Sequence, residues 1–244
     1  MPTPDAPSTH ARGREPTDRP AAGAAGDRPP RRLTPGMRLS TAVVFAVALV
    51  PRLAHLGRFV TWDEPAWALR TLRFWQAMLD GRWAETIPSA HPGVLTVWLG
   101  GLGLAVERWR QPAAVAQAWQ VAADLPGLRD TDDAALKALG AILPGLTWPV
   151  AVFHAAGIAL AYRLAARLVG PGAAAVFAVL LALDPFAVGL SRVLHVDALQ
   201  MTCGTVAALA AGAFARRGDR RHVLLAGCAT ALAALAKLPG LAVA

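Results

Sequence analysis

Apolar residues in this chain come in runs too long and unbroken for the alternating pattern of a half-buried strand or the one-sided stripe of a soluble helix. The runs cover 39–56, 141–164, 172–190, 198–215 and 223–244. A hydrocarbon core ~30 Å thick takes about 20 residues of helix, so each run reads as a spanning helix, the first just sufficing. The expected fold is all-α: a polytopic transmembrane helical domain over 38–244 with about five spans. Ahead of it, residues 1–37 carry hardly a large apolar side chain and are rich in Pro, Ala, Gly and Arg. Such a segment cannot offset its own ordering entropy and reads as a disordered cytoplasmic tail.

The polar positions between the runs set the sidedness. Arg31, Arg32 and Arg38 precede the first span, Arg163 and Arg167 mark the end of the second in YRLAARLVGP, and Arg216, Arg217, Arg220 and Arg221 fall between the fourth and fifth. Short basic loops stay in the cytoplasm. The segment 92–106 (PGVLTVWLGGLGLAV) is apolar but short for a span, in the range of interfacial or re-entrant helices. If it crossed, the Arg163–Arg167 loop would lie outside; if it lies on the outer surface, every basic loop falls inside. It therefore reads as a juxtamembrane helix. All eight tryptophans lie between Trp62 and Trp148, seven of them within 57–140, a stretch that also holds nine of the sixteen acids. Tryptophan collects at the bilayer interface. Residues 57–140 thus read as one large extracytoplasmic loop folded onto the membrane surface.

Composition agrees with a multi-pass protein of the cell membrane. Of 244 residues, 55% are hydrophobic and 16% charged, where a soluble domain carries about 25% charged residues. The mean hydropathy is +0.41. The net charge of +8 could suggest a nucleic-acid binder. The arginines are spread over tails and loops, however, and form no basic face to track a phosphate backbone. Cys203 and Cys228 sit inside apolar stretches, which points to neither a disulfide framework nor a structural zinc site. The last residues, KLPGLAVA, stop within an apolar run and read as the end of a truncated chain.

Charges beside or inside a span cost a few kcal/mol or more, so each asks for a reason. Asp63 and Glu64 follow the first span in RFVTWDEPAW, His91 precedes Pro92, and Asp184, Arg192, His195 and Asp197 lie in LDPFAVGLSRVLHVDAL. Lys237 interrupts the last run of a chain that uses 22 arginines and two lysines. The acidic pair could cap a helix, but framed by Trp62 and Trp67 beside a membrane it weighs toward function. His91–Pro92 serves equally to start a helix, and Asp184–Pro185 reads as a helix end. Asp197 serves equally as a cap, with Arg192 as its ion-pair partner, and Arg52 marks the outer end of the first span. His195, on a different helical face from Arg192, reads as a packing or interface residue. On this topology Asp63, Glu64, His91, Asp197 and Lys237 share the extracytoplasmic side. Acids, an imidazole and cations at one interface suit a reaction on a phosphorylated lipid. A carboxylate can take the proton of an acceptor hydroxyl, and cations or a divalent metal can stabilise the departing phosphate.

The pattern resembles the membrane glycosyltransferases of the GT-C superfamily, and among them the phospholipid-carrier-dependent group of protein O-mannosyltransferases and lipid-A aminoarabinose transferases. Four features carry the resemblance: WDEPAW with Asp63 and Glu64, HPGVLTVW with His91 and Pro92, RVLHVDAL with Arg192 and Asp197, and ALAALAKLPG with Lys237. It runs from about residue 39 to the end. It implies an enzyme of the cell envelope that takes a sugar from a polyprenyl-phosphate carrier in the outer leaflet and transfers it, with inversion, to a hydroxyl acceptor. Protein glycosylation is one such reaction, and the pattern fixes neither the acceptor nor the sugar. By the same resemblance Asp63 is the general base, and Glu64 supports it or helps hold a divalent metal ion together with His91. His91 and Asp197 line the pocket, and Arg192 and Lys237 meet the phosphate. The family's fold has more spans than this chain, which reads as its N-terminal part. Two other classes fit a multi-span chain: a transporter or channel subunit, whose charges would sit near the bilayer midplane on broken helices, and a non-catalytic membrane scaffold.

Overall fold

A computed structural model describes residues 35–87, 93–125 and 132–243, with backbone alone for 241–243. The described chain is all-helical, with no strand. Its α-helices are α1 (Pro35–Leu53), α2 (Glu64–Leu79), α3 (Val94–Arg110), α4 (Pro112–Asp124), α5 (Asp133–Val169), α6 (Pro171–Leu183), α7 (Pro185–Leu190), α8 (Asp197–Arg217) and α9 (Arg220–Ala236). Short 3₁₀ turns cover Trp83–Thr86 and Leu238–Val243.

α5 organises the rest. Asp132 caps it, its side chain accepting the Ala135 amide at 2.7 Å, and the helix runs on through Pro144 and Pro149 for 37 residues. At about 1.5 Å per residue such a helix is far longer than a hydrocarbon core ~30 Å thick. Its two halves have different neighbours. Leu139, Ile142, Leu143, Leu146 and Val150 pack with Trp67, Leu69 and Leu72 of α2, Leu95 and Leu104 of α3 and Val115 of α4. Farther along, Ala155, Ile158 and Tyr162 pack against Val44 and Ala48 of α1 and Ala174 and Ala178 of α6, while Leu164 meets Val206, Ala210 and Ala229 of α8 and α9.

Small residues set the closest approaches. A Cβ on Gly103 of α3 would lie 2.1 Å from the carbonyl oxygen of Gly145 in α5. Pro149 has no N–H to donate back to that carbonyl, so helix backbone meets helix backbone there. Gly57, at φ +78°, sits where a Cβ would fall 2.5 Å from Pro144.

Three helices, α1, α5 and α8, are long and apolar enough to cross a membrane. The five runs read from the sequence map onto this with shifted edges. The first helix starts at Pro35, inside the stretch read as a disordered tail, and ends at Leu53; residues 1–34 lie outside the described residues. The second run begins at Asp133, because α2, α3 and α4 wrap the first turns of α5 and supply the burial that lipid supplies later. The third run breaks at Asp184–Pro185, the helix end that the sequence suggests, leaving α6 with 13 residues before the single turn and a half of α7. The fifth, α9, has 17 residues and opens on Arg220, Arg221 and His222. The large loop is helical throughout most of its length, its short glycine-rich segment forming α3.

The basic loops meet one another. Arg217 at the end of α8 donates to the Arg167 carbonyl at 3.3 Å, Arg216 donates to that of Leu168, and Arg167 lies 3.2 Å from the His222 ring. At the opposite end of the bundle, buried Arg52 joins α1 to α6: Nη1 donates to the carbonyls of Ala48 and Ala182, both at 2.7 Å, and Nη2 to that of Leu181 at 3.4 Å.

Candidate active site

The start of α2 follows from its sequence. Asp63 occupies the cap position, Glu64 is the acid of the first turn and Pro65 sits where a missing N–H costs nothing. Asp63 makes no side-chain cap bond and is 66% exposed. Glu64 does the opposite. It is 3% exposed, and its Oε2 accepts the Thr61 amide at 2.7 Å and the Thr61 hydroxyl at 3.3 Å. Its Oε1 accepts the Leu194 amide at 3.1 Å. One carboxylate thus pins the start of α2 to the non-helical segment that leads into α8.

That segment, residues 191–196, sets the second side of the site. Because it leaves the helix at Ser191, the facing rules of a helix do not hold across it, and His195 turns toward α2. Its ring meets Trp67 edge to face at 6.1 Å between centroids. His195 Nε2 lies 3.8 Å from Asp63 Oδ2, and Nδ1 lies 3.3 Å from Asp197 Oδ2. Asp197 opens α8, and its Oδ1 accepts a hydrogen bond from Lys237 Nζ at 2.9 Å. Lys237 is held just past the end of α9, its amide donating to the Ala233 carbonyl at 3.0 Å. The result is a continuous row: carboxylate, imidazole, carboxylate, ammonium.

Gly93 closes the third side. Its amide donates to the Ala236 carbonyl at 3.2 Å, tying the start of α3 to the end of α9. A Cβ there would fall 2.2 Å from the Trp67 ring, and φ is +51°, so glycine meets both demands. The outer face of Trp67 carries the Arg70 guanidinium at 4.6 Å from the ring centroid. Burial holds Arg70 below the ordinary arginine range, partly offset by the Asp63 charge.

The structure therefore brings together Asp63, Asp197 and Lys237, with Glu64 locking the same junction. Arg192 is not in the row. It donates to the His55 carbonyl at 3.1 Å, so the partner of Asp197 is Lys237, forty positions away, and not Arg192. His91 lies outside the described residues. Among the described residues no group of three or more His, Cys, Asp or Glu side chains is arranged to hold a metal ion. Glu64 is already engaged by Thr61 and Leu194. The sequence reading takes His195 as a packing residue and Trp67 as a frame for the acidic pair, and does not single out Arg70 or Gly93. The signals were present in H-x-D before a helix start and in the glycine of the HPG triplet.

Neither the curated proteins nor the solved structures yield a match to this chain. Residues 136–244, which carry Arg192, His195, Asp197 and Lys237, match the family model described as dolichyl-phosphate-mannose-protein mannosyltransferase, a family of the GT-C membrane glycosyltransferases that the sequence pattern resembles.

Proposed function

We propose that this protein is an integral-membrane glycosyltransferase that moves a sugar from a polyprenyl-phosphate carrier to an acceptor hydroxyl at the extracytoplasmic face. The observation that carries this reading is the row from Asp63 through His195 and Asp197 to Lys237, assembled from the ends of three helices. The sidedness has support of its own: the arginine-bearing C-terminal turns of α5 and α8 touch each other, far along the helices from the row, as cytoplasmic ends would.

In this reading Asp63, the most exposed member, is the general base. It takes the acceptor proton while the acceptor oxygen attacks the anomeric carbon from the side opposite the phosphate. The bond from that carbon to the phosphate oxygen breaks, its electron pair leaves with the polyprenyl phosphate, and the configuration inverts. Lys237, 40% exposed beside Asp197, meets the charge that grows on the phosphate.

The test is transfer from a labelled polyprenyl-phosphate sugar by membranes containing the full chain. Asp63→Asn is expected to abolish transfer while leaving the amount of inserted protein unchanged. Transfer retained by Asp63→Asn removes the general-base assignment.

A further inference from the structure

We propose that His195 is a positioning residue of this site, one that clamps Asp63 and Asp197 together and thereby aims the base. The inference rests on the glycosyltransferase reading and goes beyond it by assigning a residue that neither the sequence pattern nor the family match singles out.

His195 is held from three directions. Its backbone is fixed because the neighbouring Leu194 amide is bound by buried Glu64. Its ring meets Trp67 edge to face, and Trp67 is itself buried in the core and carries the Arg70 guanidinium over its ring. Its two nitrogens face carboxylates from two different segments, Asp63 before α2 and Asp197 at the start of α8. Lys237 in turn fixes the far oxygen of Asp197. The Asp197 amide donates to Nδ1 at 3.4 Å, which leaves Nε2 as the ring nitrogen that carries a proton toward Asp63.

The consequence falls on Asp63. It has no cap bond to hold it and stands mostly exposed, so His195 is the group that restrains its side chain. The contact is made to Oδ2, and this leaves Oδ1 for the acceptor hydroxyl. A base that wanders by an ångström loses about 100-fold in rate. The role is therefore one of geometry, and it affects turnover more than donor binding.

The experiment uses the full chain in nanodiscs with a labelled polyprenyl-phosphate sugar. His195→Ala is expected to lower kcat by about 10- to 100-fold with the KM for the donor unchanged. His195→Gln, whose side-chain amide can still donate to Asp63, should recover part of the loss. Full kcat in His195→Ala, a loss confined to KM, or no recovery in His195→Gln overturns the proposal. A second arm needs no turnover. In ¹⁵N-histidine-labelled protein, the ring resonance that disappears in His195→Gln should shift in both Asp63→Asn and Asp197→Asn. A resonance indifferent to both overturns the clamp. If the wild type transfers no sugar, the function reading falls, and the resonances still decide the clamp.

Discussion

The buried carboxylate of Glu64 accepts the amide of Leu194 at 3.1 Å, a bond between residues 130 positions apart. It joins the first turn of α2 to the strap before α8 and so sets the distance between Asp63 and Asp197. The adjacent acids Asp63 and Glu64 are therefore placed differently: one is mostly exposed, while the other is buried and bound by the amides of two segments.

Removing that lock should be costly. Glu64→Ala strands the Leu194 and Thr61 amides, and a buried unsatisfied polar group costs about 1–3 kcal/mol. We expect a lower unfolding temperature in detergent and a larger fall in transfer than stability alone explains, because the two halves of the site separate. Glu64→Gln keeps an acceptor for one of the two segments and should lie between Glu64→Ala and the wild type. An unfolding temperature for Glu64→Ala equal to that of the wild type would show that the bond does not hold the junction.

A second buried group predicts a similar loss at another joint. Arg52 is fully buried and donates to two carbonyls at the end of α6 as well as to one in its own helix. Hydrogen bonds to charged groups contribute about 1.5–3 kcal/mol, and a cation also suits a helix C-terminus. Arg52→Ala should destabilise the fold by about that amount. Arg52→Lys should not restore it, since a single ammonium cannot reproduce the guanidinium fork. Thermal unfolding of both variants in one detergent checks this, and a lysine variant as stable as the wild type would remove the fork argument.

Why some of this could be read from the sequence and some could not comes down to what each residue answers to. A bilayer demands long apolar runs, so the cores of α1, α5 and α8 announce themselves, and an isolated Asp63, Asp197 or Lys237 stands out against them. The first turns of α5 are hidden because their burial comes from α2, α3 and α4, and the mixed sequence DAALKALG shows no run. His195 is missed for a related reason. Reading residues 191–196 as helix puts it on a different face from Arg192, as a packing residue, whereas the chain leaves the helix at Ser191 and the ring lies near both Asp63 and Asp197. Arg192 is nearer to Asp197 in sequence than Lys237 is, yet the antiparallel return of α9 makes the lysine the partner.

Lys237 separates electrostatic from structural value. The pair with Asp197 is 40% and 36% exposed, and ion pairs that open to solvent contribute about 0.2–1 kcal/mol. Lys237→Ala should therefore barely move the unfolding temperature. Transfer should fall by about 10-fold or more, because in the proposed reaction this cation faces the leaving phosphate and acts on the transition state. The comparison to make is kcat against thermal stability in the same preparation. A variant that loses stability and activity in step would assign Lys237 to the scaffold.

The crossing of α3 over α5 gives a test of packing with its own internal control. At Gly103 a Cβ would fall 2.1 Å from the Gly145 carbonyl oxygen and 2.8 Å from the Leu146 Cα. Backbone cannot swing aside as a side chain can, so Gly103→Ala must push the helices apart, and overpacking typically costs about 1–3 kcal/mol. Gly140, in the same long helix, has no atom within 4 Å of the Cβ position. There the only change is to the helix itself, where alanine is preferred over glycine by roughly 0.5–1 kcal/mol. Gly103→Ala should lower the unfolding temperature, Gly140→Ala should raise it, and the double variant should show the sum, since each acts through a different cause. Equal effects of the same sign at both positions would mean that α3 does not rest on α5 backbone to backbone. The platform that carries Gly93 and Trp67 to the site would then need another support.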